Sequence, residues 1–321
     1  MPVHPYFVRR FALLEGISGY EDGLTNPDIA ERLRAWEAQG DEWAVPDGVS
    51  VRDASVPGPH GDIPVRIYDG QVVDSTRPGV LWMHGGGYVG GDLDMAEGHT
   101  VSAELAARTG ATVVSVDYRL AVGGVTYPVP LDDVIAAWKW LVASRDTLGV
   151  TGGLFVGGGS AGAGLASGAA LRLHDEGETE PDGVLLAYPG LHFPLPPLSS
   201  VVAEEMRGLP ELVRLEYETA LALQRNYVGR IHNVPRYAAP GNSSLSGLPP
   251  TSIIVSEYDD LRTSGELFAQ QLAEAGVAVR LHLADGMLHG HLNRVPGPLL
   301  PEVEKSLDFF VEAIRHPVAV V

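Results

Sequence analysis

The chain of 321 residues is 45% hydrophobic and 20% charged, a balance that suits one large buried core and argues against disorder. Its 41 Asp and Glu outnumber 22 Lys and Arg, and the net charge of −19 repels phosphate backbones and anionic membrane surfaces, so nucleic acid is not expected as a partner. Cysteine is absent, which excludes disulfides, thiolate metal sites and cysteine nucleophiles.

At the start of the chain Arg9 and Arg10 follow the first apolar residues and no apolar core comes after them. No signal peptide is read there, and the cytoplasm is the default location. No stretch reaches the roughly 18 uninterrupted apolar residues that a spanning helix needs. Helical patterns cover 5–15 and 27–39, the second with Asn26 as N-cap and Pro27 at the first helical position. Strands at 49–56 and 63–68 follow, the second alternating apolar and polar, as expected of a hairpin at one sheet edge.

From there the order is regular: strand 79–83, helix 96–108, strand 112–117, helix 130–144, strand 153–157, helix 161–174 and strand 183–188. In the helix from Pro130, residues Leu131, Val134, Ile135, Trp138 and Leu141 recur at helical spacing, so one face packs on the sheet. Such alternation predicts an α/β fold, a mostly parallel sheet with helices on both faces. It breaks at 190–235, where a Pro-rich run leads into helical segments at 201–206 and 210–227. Strand 252–256, helix 263–275, strand 277–283 and helix 301–314 then resume it. The expected organisation is a catalytic core at 46–189 and 236–321, with 1–45 and the insertion 190–235 forming a helical cap.

Two glycine-flanked points carry chemistry. His84-Gly85-Gly86-Gly87 follows the apolar strand 79–83, and glycines let backbone N–H groups turn outward, where they can hold a developing negative charge. Gly158-Gly159-Ser160-Ala161-Gly162 fits the Gly-x-Ser-x-Gly elbow between a strand and a helix, a sharp turn that exposes the serine hydroxyl. The same window fits a dinucleotide fingerprint through Gly157, Gly159 and Gly162, but the next strand ends in Tyr188-Pro189-Gly190 without the carboxylate that a ribose requires. No cofactor is expected.

A serine nucleophile needs an acid and then a histidine from loops after later strands. Strand 252–256 runs into Glu257-Tyr258-Asp259-Asp260, and strand 277–283 runs into Asp285-Gly286-Met287-Leu288-His289-Gly290-His291. His289 and His291 could chelate a metal, but no third ligand stands at a recognised spacing, so none is expected. Asp132 and Asp133 are read as solvating a helix N-terminus.

In joint order, His84-Gly85-Gly86-Gly87, Asp117-Tyr118-Arg119, Leu131-Asp132-Asp133, the Ser160 elbow, Asp259-Asp260-Leu261-Arg262 and Gly286-Met287-Leu288-His289-Gly290 resemble the hormone-sensitive-lipase-like branch of the α/β hydrolases, bacterial carboxylesterases in particular, over nearly the whole length. The resemblance implies an eight-stranded sheet, with Ser160 as nucleophile, Asp259 rather than Asp260 as acid, His289 as base and the N–H groups of Gly86, Gly87 and Ala161 as oxyanion hole. His84 would steady the glycine loop.

Departures are Gly159 where the family has Asp, Asp260 where it has Pro, Tyr88 where Trp is common and His291 where an aromatic residue is usual. Tyr88 and His291, with Phe193 and Leu215 of the insertion, are expected to shape the substrate pocket. The implied activity is hydrolysis of short to medium acyl esters. An amidase or dedicated catabolic acyl hydrolase on the same triad is the alternative, and a non-catalytic small-molecule receptor is a remote one that the presence of His289 opposes. A homodimer through the edge strand 277–283 would follow similar proteins.

Overall fold

The computed structural model describes residues 2–19, 22–71 and 76–317. Helices α1 (Pro5–Val8), α2 (Asp22–Thr25) and α3 (Pro27–Glu37) precede strands β1 (Ser50–Val56) and β2 (Ile63–Asp69). The alternating stretch is β3 (Gly79–Met83), α4 (Ala96–Thr109), β4 (Thr112–Val116), α5 (Val129–Ala143), β5 (Leu154–Gly159), α6 (Ala161–Glu176) and β6 (Gly183–Ala187). The insertion holds α7 (Ser200–Met206) and α8 (Tyr217–Val228), after which come β7 (Thr251–Tyr258), α9 (Arg262–Glu274), β8 (Val279–Leu288) and α10 (Pro301–Arg315).

The strands form one eight-stranded sheet in the order β1-β2-β4-β3-β5-β6-β7-β8. β1 and β2 are antiparallel, and every pair from β4 to β8 is parallel. Successive side chains on a strand point to opposite faces. Leu81, Met83, Val114 and Val156 therefore join α5, α6 and α9 in one core, while Val80, Trp82, Val113 and Phe155 join α4 and α10 in the other. Burial on both faces explains why β3 to β6 read as continuous apolar runs. Each large side chain so enclosed stabilises the fold by about 1.5–3 kcal/mol.

Three sequence expectations shift, each for a local reason. The helical pattern at 5–15 splits into α1 and a 3-10 turn at Phe11–Leu14, because Arg10 reaches across to the carbonyls of Trp36 at 3.0 Å and Ala38 at 2.8 Å. The pattern at 210–227 breaks at Arg214, where the chain turns extended and Leu215 N–H donates to Asp260 at 2.9 Å instead of continuing a helix. Asp133 does not solvate a helix end: it is fully buried and accepts from the Arg119 amide at 2.9 Å and guanidinium at 2.6 Å. Strands β7 and β8 also run further than their apolar stretches, to the residues immediately before Asp259 and His289. No helix among the described residues is long and apolar enough to cross a membrane.

Candidate active site

Ser160 lies between the end of β5 and the start of α6 with φ 50° and ψ −113°, a conformation that non-glycine residues seldom adopt. The turn is possible because Gly158 and Gly162 let strand and helix cross closely; a Cβ at 158 would lie 2.5 Å from the backbone of Gly162. Its N–H is anchored to Ala187 O at 2.9 Å, which directs the side chain off the C-terminal edge of the sheet.

Ser160 Oγ is 2.9 Å from His289 Nε2, and His289 Nδ1 is 2.8 Å from Asp259 Oδ2. The other Asp259 oxygen accepts from Leu261 N–H at 2.8 Å, so the carboxylate is fixed at both ends. Asp260 turns the opposite way, onto Arg214, with Nε–Oδ2 at 2.9 Å and Nη2–Oδ1 at 2.7 Å. Of the adjacent carboxylates, Asp259 alone meets the histidine. Burial pushes the His289 pKa down, but the Asp259 carboxylate, with Glu97 and Asp260 behind it, outweighs burial and raises it above the usual imidazole value. A serine held by an imidazole that a carboxylate orients is the arrangement that activates a hydroxyl as a nucleophile.

The glycine loop faces the same point. Gly86 has φ 105° and Gly87 φ 63°, which turns their amides away from the strand. His84 stacks on Tyr118 with ring centroids 4.5 Å apart, and the Tyr118 hydroxyl donates to His84 O at 2.9 Å. The loop is thus braced from below. Ala161 begins α6, and the first N–H groups of a helix have no partner within it.

A cleft of about 800 Å³ opens on Ser160 and His289, with Phe7 and Trp36 from the N-terminal segment and Leu212, Leu215 and Leu223 from the insertion on its walls. A second, apolar pocket of about 30 Å³ lies on the other side of Ser160, bounded by Tyr88, Leu195, Leu215 and Leu261. Leu215 borders both cavities and Tyr88 only the small one. One expected pocket residue is corrected. Phe193 lines neither cavity; it is buried while Asn242 clasps its backbone N–H and carbonyl. His291 lines the cleft, with both ring nitrogens engaged, by Ser256 at 3.0 Å and Ser306 at 2.9 Å. Burial lowers its pKa to about 3. Because His289 is held by Ser160 and Asp259, the two histidines do not form a chelating pair.

The alpha/beta hydrolase fold family matches residues 80–293, which span the glycine loop, the elbow and the histidine. The chain belongs to the α/β hydrolases. This α/β hydrolase is 37% identical over 285 residues to esterase LipI of Mycobacterium tuberculosis, covering 85% of this chain and 82% of that one. It is 31% identical over 265 residues to ethyl acetate hydrolase of Pseudomonas putida, covering 79% and 78%. A hyperthermophilic esterase of the archaeon Pyrobaculum calidifontis has the same architecture, with a TM-score of 0.79 and 32% identity over 100% of both chains. Within the α/β hydrolases the chain is a carboxylic ester hydrolase of the hormone-sensitive-lipase-like branch.

Sequence reasoning missed Glu97, which is buried directly beneath the site. Gly85 N–H and the Tyr188 hydroxyl both donate to its carboxylate. A glutamate in the first turn of a helix reads as ordinary charge placement, so the sequence offered no signal except the missing side chain at Gly159.

Proposed function

We propose that this α/β hydrolase cleaves esters of short acyl chains through an acyl-enzyme on Ser160, with His289 as base and Asp259 as the group that orients it. The observation that carries the reading is the continuous Ser160–His289–Asp259 hydrogen-bond chain, at 2.9 and 2.8 Å, at the mouth of a cleft. His289 takes the hydroxyl proton as Ser160 attacks the ester carbonyl, and Asp259 stabilises the imidazolium that forms. The amides of Gly86, Gly87 and Ala161 receive the oxyanion. His289 then returns its proton to the departing alcohol, and water releases the acid by the same steps.

The two cavities support a reading of where each half of the ester sits. The leaving oxygen must be protonated by His289, which lines the large cleft and not the small pocket. The alcohol therefore occupies the cleft and the acyl chain the small pocket. That pocket, about 30 Å³ and far smaller than the cleft, suits acetyl or propionyl rather than a medium chain.

A p-nitrophenyl ester series from acetate to laurate tests the reading, with Ser160→Ala alongside. Turnover should peak at acetate or propionate, vanish in the variant, and rise with pH through a pKa above the ordinary 6.5, as the raised His289 requires. Turnover that persists in Ser160→Ala would overturn the nucleophile. A peak at octanoate or beyond would overturn the acyl assignment.

A further inference from the structure

The residue before Ser160 has no side chain, and the space beside it is filled from elsewhere. A Cβ built on Gly159 would overlap the Glu97 carboxyl, and one built on Gly85 would overlap Glu97 Oε2, so a single buried carboxylate occupies the room beside both the elbow and the glycine loop. Glu97 comes from the first turn of α4, more than sixty residues before the elbow in sequence. Its oxygens accept from Gly85 N–H, from the Tyr188 hydroxyl and, at 3.4 Å, from Asn293 Nδ2. The Asn293 side chain also accepts from Glu97 N–H at 3.3 Å, which ties the start of α4 to the turn after His289. Tyr188 packs edge-on against His289, ring centroids 5.1 Å apart.

We infer that Glu97 is a positioning residue for the reaction at Ser160, a carboxylate carried in from α4 to the place that a side chain at 159 would fill, where it sets the glycine loop and the Tyr188 wall behind His289. One carboxylate thereby joins the loop that receives the oxyanion to the ring that backs the base. The inference rests on the proposed roles of Ser160 and His289.

Burial raises the Glu97 pKa above the usual carboxylate value, and the Tyr188 hydroxyl, the His289 charge and the Gly85 amide offset it only in part, although all three donors point a hydrogen at the carboxylate. In its ionised form it also acts on His289. The charged and titratable groups facing His289 are Asp259 and Asp260 after β7, Glu97 on α4, Tyr188 after β6 and His291 in the following turn. A negative charge nearby raises an imidazole pKa. Removing the Glu97 charge should therefore move the rising limb of the pH–rate profile to lower pH.

The test is a swap assayed on p-nitrophenyl acetate, with thermal melts to confirm folding. Glu97→Gln keeps the shape and should lower kcat by between about ten- and a hundredfold, the scale of a slight misplacement of reacting groups, with KM nearly unchanged and the rising limb displaced downward. Gly159→Asp alone should fail through collision with Glu97. Glu97→Ala with Gly159→Asp, which returns a carboxylate to the same space from the elbow itself, should recover at least tenfold over Glu97→Ala alone. A fully active, normally melting Gly159→Asp variant, a double variant no better than Glu97→Ala, or a Glu97→Gln enzyme with wild-type kcat and pH limb would each overturn the inference. Ser160→Ala run in parallel separates the failures. If it is dead while the Glu97 variants behave as wild type, only the positioning role falls; if it retains activity, the reading of Ser160 itself is wrong.

Discussion

His84 and His291 show how imidazole, the side chain proposed as the base at His289, is put to structural use at two other positions of the chain. His84 stacks on Tyr118 under the glycine loop, and His291 bridges Ser256 and Ser306, so both act as neutral braces. For His291 the consequence is acid sensitivity. Its pKa is depressed to about 3 in the folded chain against 6.5 for a free imidazole, so the unfolded state binds the proton more readily throughout that window. Stability from this residue is complete above pH 6.5 and is lost as the pH falls toward 3, at a slope of up to about 1.4 kcal/mol per pH unit. Between pH 7 and pH 5 it should cost about 2 kcal/mol. In urea unfolding, His291→Asn should lose correspondingly less over that interval than the wild type, and equal losses would contradict the bridge. Among single residues, Ser160 and His289 were legible because their chemistry constrains both residue type and chain order. Glu97 was not, since its role comes from a cavity formed by two glycines that lie apart in sequence, and no periodicity records a cavity.

The Arg214–Asp260 pair is one of the contacts that hold the insertion to the core, beside the Tyr127 N–H bond to Tyr227 O and the stack of Tyr227 on Tyr88. Arg214 and Asp260 pair through two hydrogen bonds with side chains only 15% and 7% exposed, and Leu215 N–H adds a third bond to the same carboxylate. Because Asp260 adjoins Asp259 and Leu215 borders both cavities, the pair sets the insertion against the small pocket proposed for the acyl chain. Arg214→Met keeps the aliphatic stem and leaves Asp260 without its cation. Fully buried pairs cost about 3–5 kcal/mol when broken this way, and this partly wetted one should cost about 2 kcal/mol. The melting temperature should fall, and butyrate and hexanoate esters should gain on acetate as the pocket loosens; an unchanged chain-length profile would show that the pair does not set the pocket. Strands β3 to β6 and helices α4 to α6 were legible to within a few residues because burial on both sheet faces leaves a continuous apolar signature. The break at Arg214 was not, since the partner that stops the helix lies 46 residues further on.

For the molecule as a whole, charge is the dominant long-range quantity. With 41 acidic residues against 22 basic ones and a net charge of −19, self-repulsion opposes the compact state wherever pairs such as Arg108 with Glu104, Glu304 and Asp308 do not offset it. Salt shortens that repulsion to a few ångströms by about 1 M, while a partly buried pair is screened much less. The melting temperature should therefore rise by several degrees between dilute buffer and about 0.5 M NaCl, measured by scanning calorimetry; a fall would mean that the surface ion pairs outweigh the net charge. The sequence made the sign of this balance plain but not its geometry, because composition counts charges without saying which are paired.

The two cavities beside Ser160 share Leu215 and Leu223, but only the large one draws on the opening segment of the chain. Phe7 and Trp36 wall only the large cleft, whereas the small pocket is built without any residue of the first eighty. With the alcohol in the cleft, as proposed, an exchange of the opening segment for that of a relative should change the alcohol that is accepted and leave the acid released unchanged. The opening segment is thus open to revision, by natural or laboratory selection, without touching the walls of the small pocket.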